Sequence, residues 1–369
     1  MNVNEAPAGS TQMTDDVQKL VEISSPTDDV ESVTRVIEEA NRQLEARLGR
    51  AGEIKIVEGR PLLHWGVTRP SILLLCHLDT VWAHGSFSPN WQIEGDRMRG
   101  PGVFDMKAGF VQGVHAIASL ILELGEKINE VALLATSDEE TGSAASRNYI
   151  EDLASSAKAV FVLESSIDGR LKTSRSGSSM YRLEVIGKAV HAGLEPEKGV
   201  NSTIEISYVI PMIAALSRPE IGTTVTPTVL NSGTTLNTVP GLAVLDVDVR
   251  AKDSVEQERV DSEIRKIKGF RGDFRWSGGI NRPPLDSKAS SSLYELAEVS
   301  AAKLGLAPLG QASVGGASDG NFTAAKGIPT IDGIGAVGEG AHAPNEWASI
   351  EGMNERSKLL AEMIRALLH

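Results

Sequence analysis

Leu74-Leu75-Cys76-His77-Leu78-Asp79-Thr80 is the stretch on which the reading of this chain turns. A short apolar run, residues 72–76, passes directly into His-x-Asp. Residues two apart in a strand point the same way, so His77 and Asp79 become neighbours where the strand ends. Two more runs of this kind follow, at residues 131–135 and 159–163, each flanked by polar or turn residues. Strands buried on both faces look like this, in a parallel or mixed sheet covered by helices. The second run leads into Ala135-Thr136-Ser137-Asp138-Glu139-Glu140-Thr141-Gly142, and the third into Leu163-Glu164-Ser165-Ser166. Open α/β sheets bind ligands outside the carboxyl ends of their strands. Three core-like strands would each deliver a histidine or an acid to that edge.

Working outward, residues 15–23 and 30–48 carry apolar residues at helical spacing, separated by a Ser-Ser-Pro-Thr-Asp turn that offers an N-cap. A further helix is expected over residues 106–124, between the first two strands. The alternation predicts an α/β catalytic domain of three layers. The texture changes near Thr173. Strands at 181–186 and 242–250, with helices at 201–216 and 255–268, read as a small inserted α+β domain with one sheet, and Pro211 predicts a kink or break in the first of those helices. A helix over 287–304, a glycine-dense stretch over 314–340 with a strand at 329–333, and a last helix over 354–368 return to the first domain. The expected organisation is therefore residues 1–172 and 287–369 as one catalytic domain, with 1–12 a polar tail, interrupted by 173–286.

A length of 369 residues fits two domains at about 150 residues each. One cysteine excludes a disulfide framework and a Cys-rich metal finger. The formal charge of −13 disfavours nucleic acid or an anionic membrane as partner, since both need a basic face. No run approaches the roughly 18 apolar residues of a membrane helix. The first twelve residues lack a basic region followed by an apolar core, so the cytoplasm is the expected compartment.

Two glycine-rich loops add candidates: Gly100-Pro101-Gly102-Val103-Phe104-Asp105-Met106-Lys107-Ala108-Gly109, which sets Asp105 at a helix start, and Gly338-Glu339-Gly340-Ala341-His342-Ala343-Pro344-Asn345-Glu346. Taken singly, Asp105 reads as a helix cap, His342 as a loop histidine, and the 138–140 acids as a solvated first turn. Taken together they form a nitrogen and carboxylate set without thiolates. Such a set suits zinc, with cobalt or manganese as substitutes. Five ligands, one of them bridging, suffice for two adjacent ions that activate water, with one acid left over as a general base.

These motifs, in this order, resemble the co-catalytic di-zinc metallopeptidase family of glutamate carboxypeptidases, aminoacylases, acetylornithine deacetylase and succinyl-diaminopimelate desuccinylase. The glutamate carboxypeptidase branch is the most similar, through His77 to Trp82 and Trp91-Gln92-Ile93-Glu94-Gly95-Asp96. The resemblance implies two Zn2+ per subunit: His77 and Glu164 on one, Glu140 and His342 on the other, Asp105 bridging. It implies that Asp79 orients His77 and that Glu139 is the general base. It makes the insert a dimerisation or lid domain whose Gly187-Lys188-Ala189-Val190-His191-Ala192-Gly193 motif sends His191 to the partner's oxyanion. Asn237 and Arg250 match substrate-contacting positions; Ser318, Asp319 and Asn321 are further pocket candidates. The chain carries Ala108 where the family often has glycine. The expected activity is hydrolysis of an amide bond beside a free carboxylate in a peptide or N-acyl amino acid, by a homodimer. A biosynthetic deacylase and a catalytically silent binder of amino-acid conjugates are the alternatives.

Overall fold

The computed structural model describes residues 8–369 and divides them into two compact units. The first takes the chain through Ser174, then Asp286–Ser313 and Ser318–His369; the second takes Arg175–Leu285 and Val314–Ala317.

At the centre of the first unit is a six-stranded sheet in the order Glu53–Val57, Arg60–Gly66, Val131–Thr136, Ile72–His77, Ala159–Val162, Thr330–Ile331. The last four run parallel, whereas Arg60–Gly66 is antiparallel to both its neighbours. Alternation along the strands divides their side chains between two cores. Leu74, Cys76, Leu133, Ala135 and Phe161 enter one. Leu73, Leu75, Ala132, Leu134, Val160 and Val162 enter the other. Helices Val30–Leu48, Ala108–Leu124 and Ile350–Leu368 contribute to the first core, and helices Arg147–Ala154 and Gly320–Ala325 to the second. This is the three-layer arrangement. Each fully buried leucine contributes about 1.5–3 kcal/mol relative to exposure. The stretch Val103–Glu130 is apolar enough to cross a membrane by length and composition, but it is mostly buried, and its helix packs in the core on nearly every side.

The N-terminal reading needs correction. The helix expected over 15–23 begins at Ala8, so residues 8–12 belong to it and not to a tail; residues 1–7 lie outside the described residues. Gly9, Ser10 and Thr11 are weak helix formers, but Met13, Val17 and Leu20 are buried, and tertiary packing overrides propensity. The hairpin Glu53–Val57/Arg60–Gly66 was not anticipated; it turns at Glu58 and Gly59, both at positive φ.

The second unit has an antiparallel sheet in the order Thr224–Ser232, Leu242–Ala251, Gly177–Ile186, Asp273–Arg282. Leu183, Val185, Leu245, Val247 and Val249 alternate inward against Ile206, Val209, Ile213, Val260 and Ile264 of helices Ser202–Ala214 and Ser254–Lys266. Pro211 does not break its helix, which runs on to Ala214 even though the proline has no N–H to give to the preceding turn. Both edge strands escaped the sequence reading: Pro227 interrupts one and Gly278-Gly279 the other.

Candidate metal centre

Three adjacent strands of the first unit end side by side, and each leads to a candidate ligand. His77 is the last residue of its strand. Val131–Thr136 leads into a short turn, Glu139–Thr141, that carries Glu140. Ala159–Val162 runs to Glu164 one residue beyond Leu163. The third end is set by close packing: a Cβ on Gly109 would lie 2.0 Å from the Leu163 carbonyl oxygen, and one on Gly335 would also lie 2.0 Å from it. Glycine is therefore required at Gly109, whereas buried Ala108 fits beside it.

A separate sheet brings in the two loop ligands. Gly338–Glu339 and Trp347–Ser349 form a hairpin, and the latter strand pairs with Arg97–Arg99. The loop between the hairpin strands carries His342, at φ 61°. A non-glycine residue in that region costs about 1–3 kcal/mol, as is common where a side chain is held for function. Asp105 comes from the loop before helix Ala108–Leu124, and its peptide bond to Met106 is cis.

The five side chains meet as two groups that share Asp105: His77, Asp105 and Glu164, and Asp105, Glu140 and His342, with ligand atoms within 4.8 Å in each. Asp105 directs one oxygen to each histidine. Its Oδ1 is 3.4 Å from His77 Nε2, and its Oδ2 is 3.3 Å from His342 Nε2. Glu164 Oε1 is 3.6 Å from His77 Nε2, and Glu140 Oε2 is 3.1 Å from His342 Nε2. Two atoms at about 2.0–2.1 Å from one tetrahedral ion lie roughly 3.3–3.4 Å apart, so the donor set fits two ions. Asp105 Oδ1 is also buried with no hydrogen-bond donor.

The charges tell the same story. Burial opposes a charged His77, yet Asp105, Asp79 and Glu164 together raise its pKa well above the usual value. Asp105 and Glu140 push His342 up to about 10 against burial. Burial raises Glu140, with Asp105 adding repulsion, while Asp105 is held below the carboxylate range by the two histidines despite its burial. Histidine protons favoured in this way compete with divalent ions, whose binding would displace them.

Two buried carboxylates brace the ligands. Asp79 accepts the Glu139 N–H at 3.3 Å, the Glu140 N–H at 3.1 Å and the Thr27 hydroxyl at 2.8 Å, and its Oδ1 lies 3.4 Å from His77 Nδ1. Glu139 is buried beside Glu140. Glu346 accepts N–H groups from Gly102, Phe104, Asp105 and the Trp82 indole. Burial pushes its carboxyl up to about 7 against those backbone donors, and pushes the ammonium of Lys107 down to about 7. The sequence reading quoted Glu346 and Lys107 within motifs but assigned them nothing; an acid four residues after His342 was the available signal.

The remaining candidates fall elsewhere. His191 is exposed in the second unit, and its Nδ1 accepts the Gly193 N–H at 3.1 Å, which leaves Nε2 as the ring nitrogen able to donate. Asn237, also exposed, lies beside it: the Ala192 N–H donates to the Asn237 carbonyl at 2.8 Å, and His191 pairs with Thr238. Arg250 is not near them. It stands near the far end of Leu242–Ala251, roughly 26 Å from Leu242 at about 3.3 Å per residue. Its guanidinium is already paired with Asp248 at 2.7 Å. Ser318 and Asn321 are fully buried, and two bonds hold their loop: the Ser318 N–H donates to Asn321 Oδ1 and the Ser318 hydroxyl to Asp332. Asp319 accepts the Ser143 hydroxyl in the interior. All three are buried in the first unit.

A family model described as Peptidase family M20/M25/M40 matches residues 73–366. The chain is 27% identical to carboxypeptidase G2 of Pseudomonas sp. (strain RS-16), over 95% of this chain and 88% of that protein. It is 25% identical to a succinyl-diaminopimelate desuccinylase of Sulfurovum sp., over 80% of this chain and 83% of that protein. In fold it is similar to an M20 family metallo-carboxypeptidase from Sulfolobus solfataricus, with a TM-score of 0.75 at 18% identity over 97% of this chain and 99% of that one. The match covers the strands, the turn and both loops that form the centre, and the chain belongs to Peptidase family M20/M25/M40 as a metal-dependent hydrolase.

Proposed function

We propose that the chain is a zinc-dependent hydrolase of the amide bond beside a free carboxylate, of glutamate carboxypeptidase type. The observation that carries this is the division of Asp105, one oxygen toward His77 and the other toward His342. Two divalent ions held there supply Lewis acidity and an activated water. Around them, Asp79 fixes His77 and the Glu139–Glu140 turn. Glu139 takes a proton from the attacking water and passes it to the leaving nitrogen. His191, with its proton on Nε2, donates to the developing oxyanion. Arg250 binds the substrate carboxylate by exchanging Asp248 for it.

The same reading makes the protein a homodimer through the insert, acting in the cytoplasm on small peptide or N-acyl amino acid substrates. His191 and Asn237 stand far from Arg250 on one chain, which favours a site completed by a second copy. Ile204, Tyr208 and Met212 form an exposed apolar stripe at helical spacing on Ser202–Ala214, and Val229 and Leu230 are exposed on the edge strand. Both features suit burial against a second copy.

The similarity to succinyl-diaminopimelate desuccinylase supports a second reading, a biosynthetic deacylase. A panel of dipeptides, N-acyl-glutamates, N-acetylornithine and N-succinyl-diaminopimelate, assayed with Zn2+-loaded protein, separates the two. The carboxypeptidase reading expects the highest kcat/KM on N-acyl-glutamates and a collapse when the free carboxylate is amidated. Equal rates on acid and amide would sink it.

A further inference from the structure

Glu346 lies at the end of the loop that carries His342 and is completely buried. The loop is braced internally by the Ala343 N–H to Gly340 carbonyl bond at 2.8 Å and the Glu346 N–H to Ala343 carbonyl bond at 2.9 Å. From there the carboxylate crosses to the loop that presents Asp105. Its Oε1 accepts the N–H of Phe104 at 2.9 Å and of Asp105 at 3.1 Å. Its Oε2 accepts the N–H of Gly102 at 3.1 Å and the Trp82 indole N–H at 2.9 Å. Trp82 is itself fixed edge-to-face on Phe87, with centroids 4.8 Å apart.

Each oxygen thus receives two donors, and one of the four is the backbone of Asp105 itself. A carboxylate accepts on both oxygens; an amide would turn an NH2 group against two N–H donors. Charge-assisted bonds of this kind are about twice as strong as neutral ones. The Asp105 backbone is not held by helix geometry, with φ −120° and ψ 89°, so these bonds hold it in place.

We propose that Glu346 is the positioning residue for the shared aspartate: it locks the His342 loop to the Asp105 loop, so that Asp105 presents one oxygen to each ion. Glu346 touches neither ion nor substrate. The inference rests on the two-ion reading of Asp105 given above.

The test compares Glu346→Gln with wild type by Zn2+ competition against a chromophoric chelator, by the ligand-field absorption of Co2+-loaded protein, and by thermal melting. The expected result is a cooperative melt, Zn2+ binding weakened about 10–100-fold, and altered Co2+ bands. Trp82→Phe, which removes one donor and keeps the carboxylate, is expected to shift both readouts in the same direction by less. Wild-type affinity and bands in Glu346→Gln overturn the proposal, even if the melting temperature falls, since Glu346 would then only stabilise the fold. Should that variant not fold, wild-type affinity and bands in Trp82→Phe overturn it. Wild-type protein that binds fewer than two ions overturns the reading of Asp105 itself, before any variant is compared.

Discussion

Asp79 accepts the backbone N–H of Glu140 at 3.1 Å. Through that bond a fully buried residue, two beyond the His77 strand, fixes the turn at the end of the neighbouring strand. It faces His77 as well, so one carboxylate sets ligands of both metal groups. Asp79→Asn keeps the shape but turns an amide NH2 toward N–H groups. Its expected effect is a loss of about 10–100-fold in kcat/KM. Asp79→Ala leaves the N–H groups of Glu139 and Glu140 without this acceptor and His77 without its buried partner, and is expected to cost about 3–5 kcal/mol in urea unfolding as well. Full activity in the Asn variant would show that His77 needs no such partner.

The Leu163 carbonyl is enclosed by Gly109 and Gly335, one residue before Glu164. Gly109→Ala is expected to destabilise the fold by about 1–3 kcal/mol through overpacking and to weaken metal binding through a displaced Glu164. Ala108→Gly, at the adjacent buried position, is expected to cost no more than about 1 kcal/mol. Thermal melts of the two variants, with and without added Zn2+, check the contrast.

A buried carboxylate far from the metal centre sets an acid limit on stability. Asp16 receives two bonds from Arg47, at 2.8 and 2.9 Å, and one from His115 at 2.9 Å, tying three helices together. Burial opposes its charge, but His115 and Arg47 outweigh it and hold the carboxyl below its usual value. A lowered folded pKa means the contribution is complete above the ordinary carboxylate pKa and disappears as pH falls through the folded value. Asp16→Asn is expected to lose about 3 kcal/mol near neutrality. The difference in melting temperature from wild type should shrink as pH falls below about 4. A constant difference across that range would count against the ionic account.

Glu139→Gln is expected to reduce kcat by about 100- to 10,000-fold while Zn2+ content stays at the wild-type value, because proton transfer is lost without loss of a ligand. If His191 acts on the partner's site, mixing Glu139→Ala with His191→Ala protein should restore part of the activity, since a mixed dimer assembles one intact site. No recovery after demonstrated subunit exchange would place His191 outside the reaction.

Much of the catalytic unit was legible from residue order. The three apolar runs became adjacent strands because residues 72–76, 131–135 and 159–162 are apolar and buried at every position, as in a sheet covered on both sides. The acids and the histidine that follow them had to emerge at one edge for the same reason. The edge strands of the second unit were hidden because half or more of their residues face solvent and glycine or proline breaks their alternation.

The sequence by itself pointed to the candidate ligand types, the strands that lead to three of them, and a chain of two interleaved parts. It could do so because local apolar runs and turn chemistry are short-range signals. Tertiary structure alone decided which candidate ligand atoms lie together, that Arg250 is paired with Asp248, that Ser318 and Asn321 are interior, and that Glu346 reaches the Asp105 loop. Each of these depends on contacts between residues distant in the chain. Glu346 and Asp105 stand 241 positions apart and are joined at 3.1 Å, a relation that no local pattern encodes.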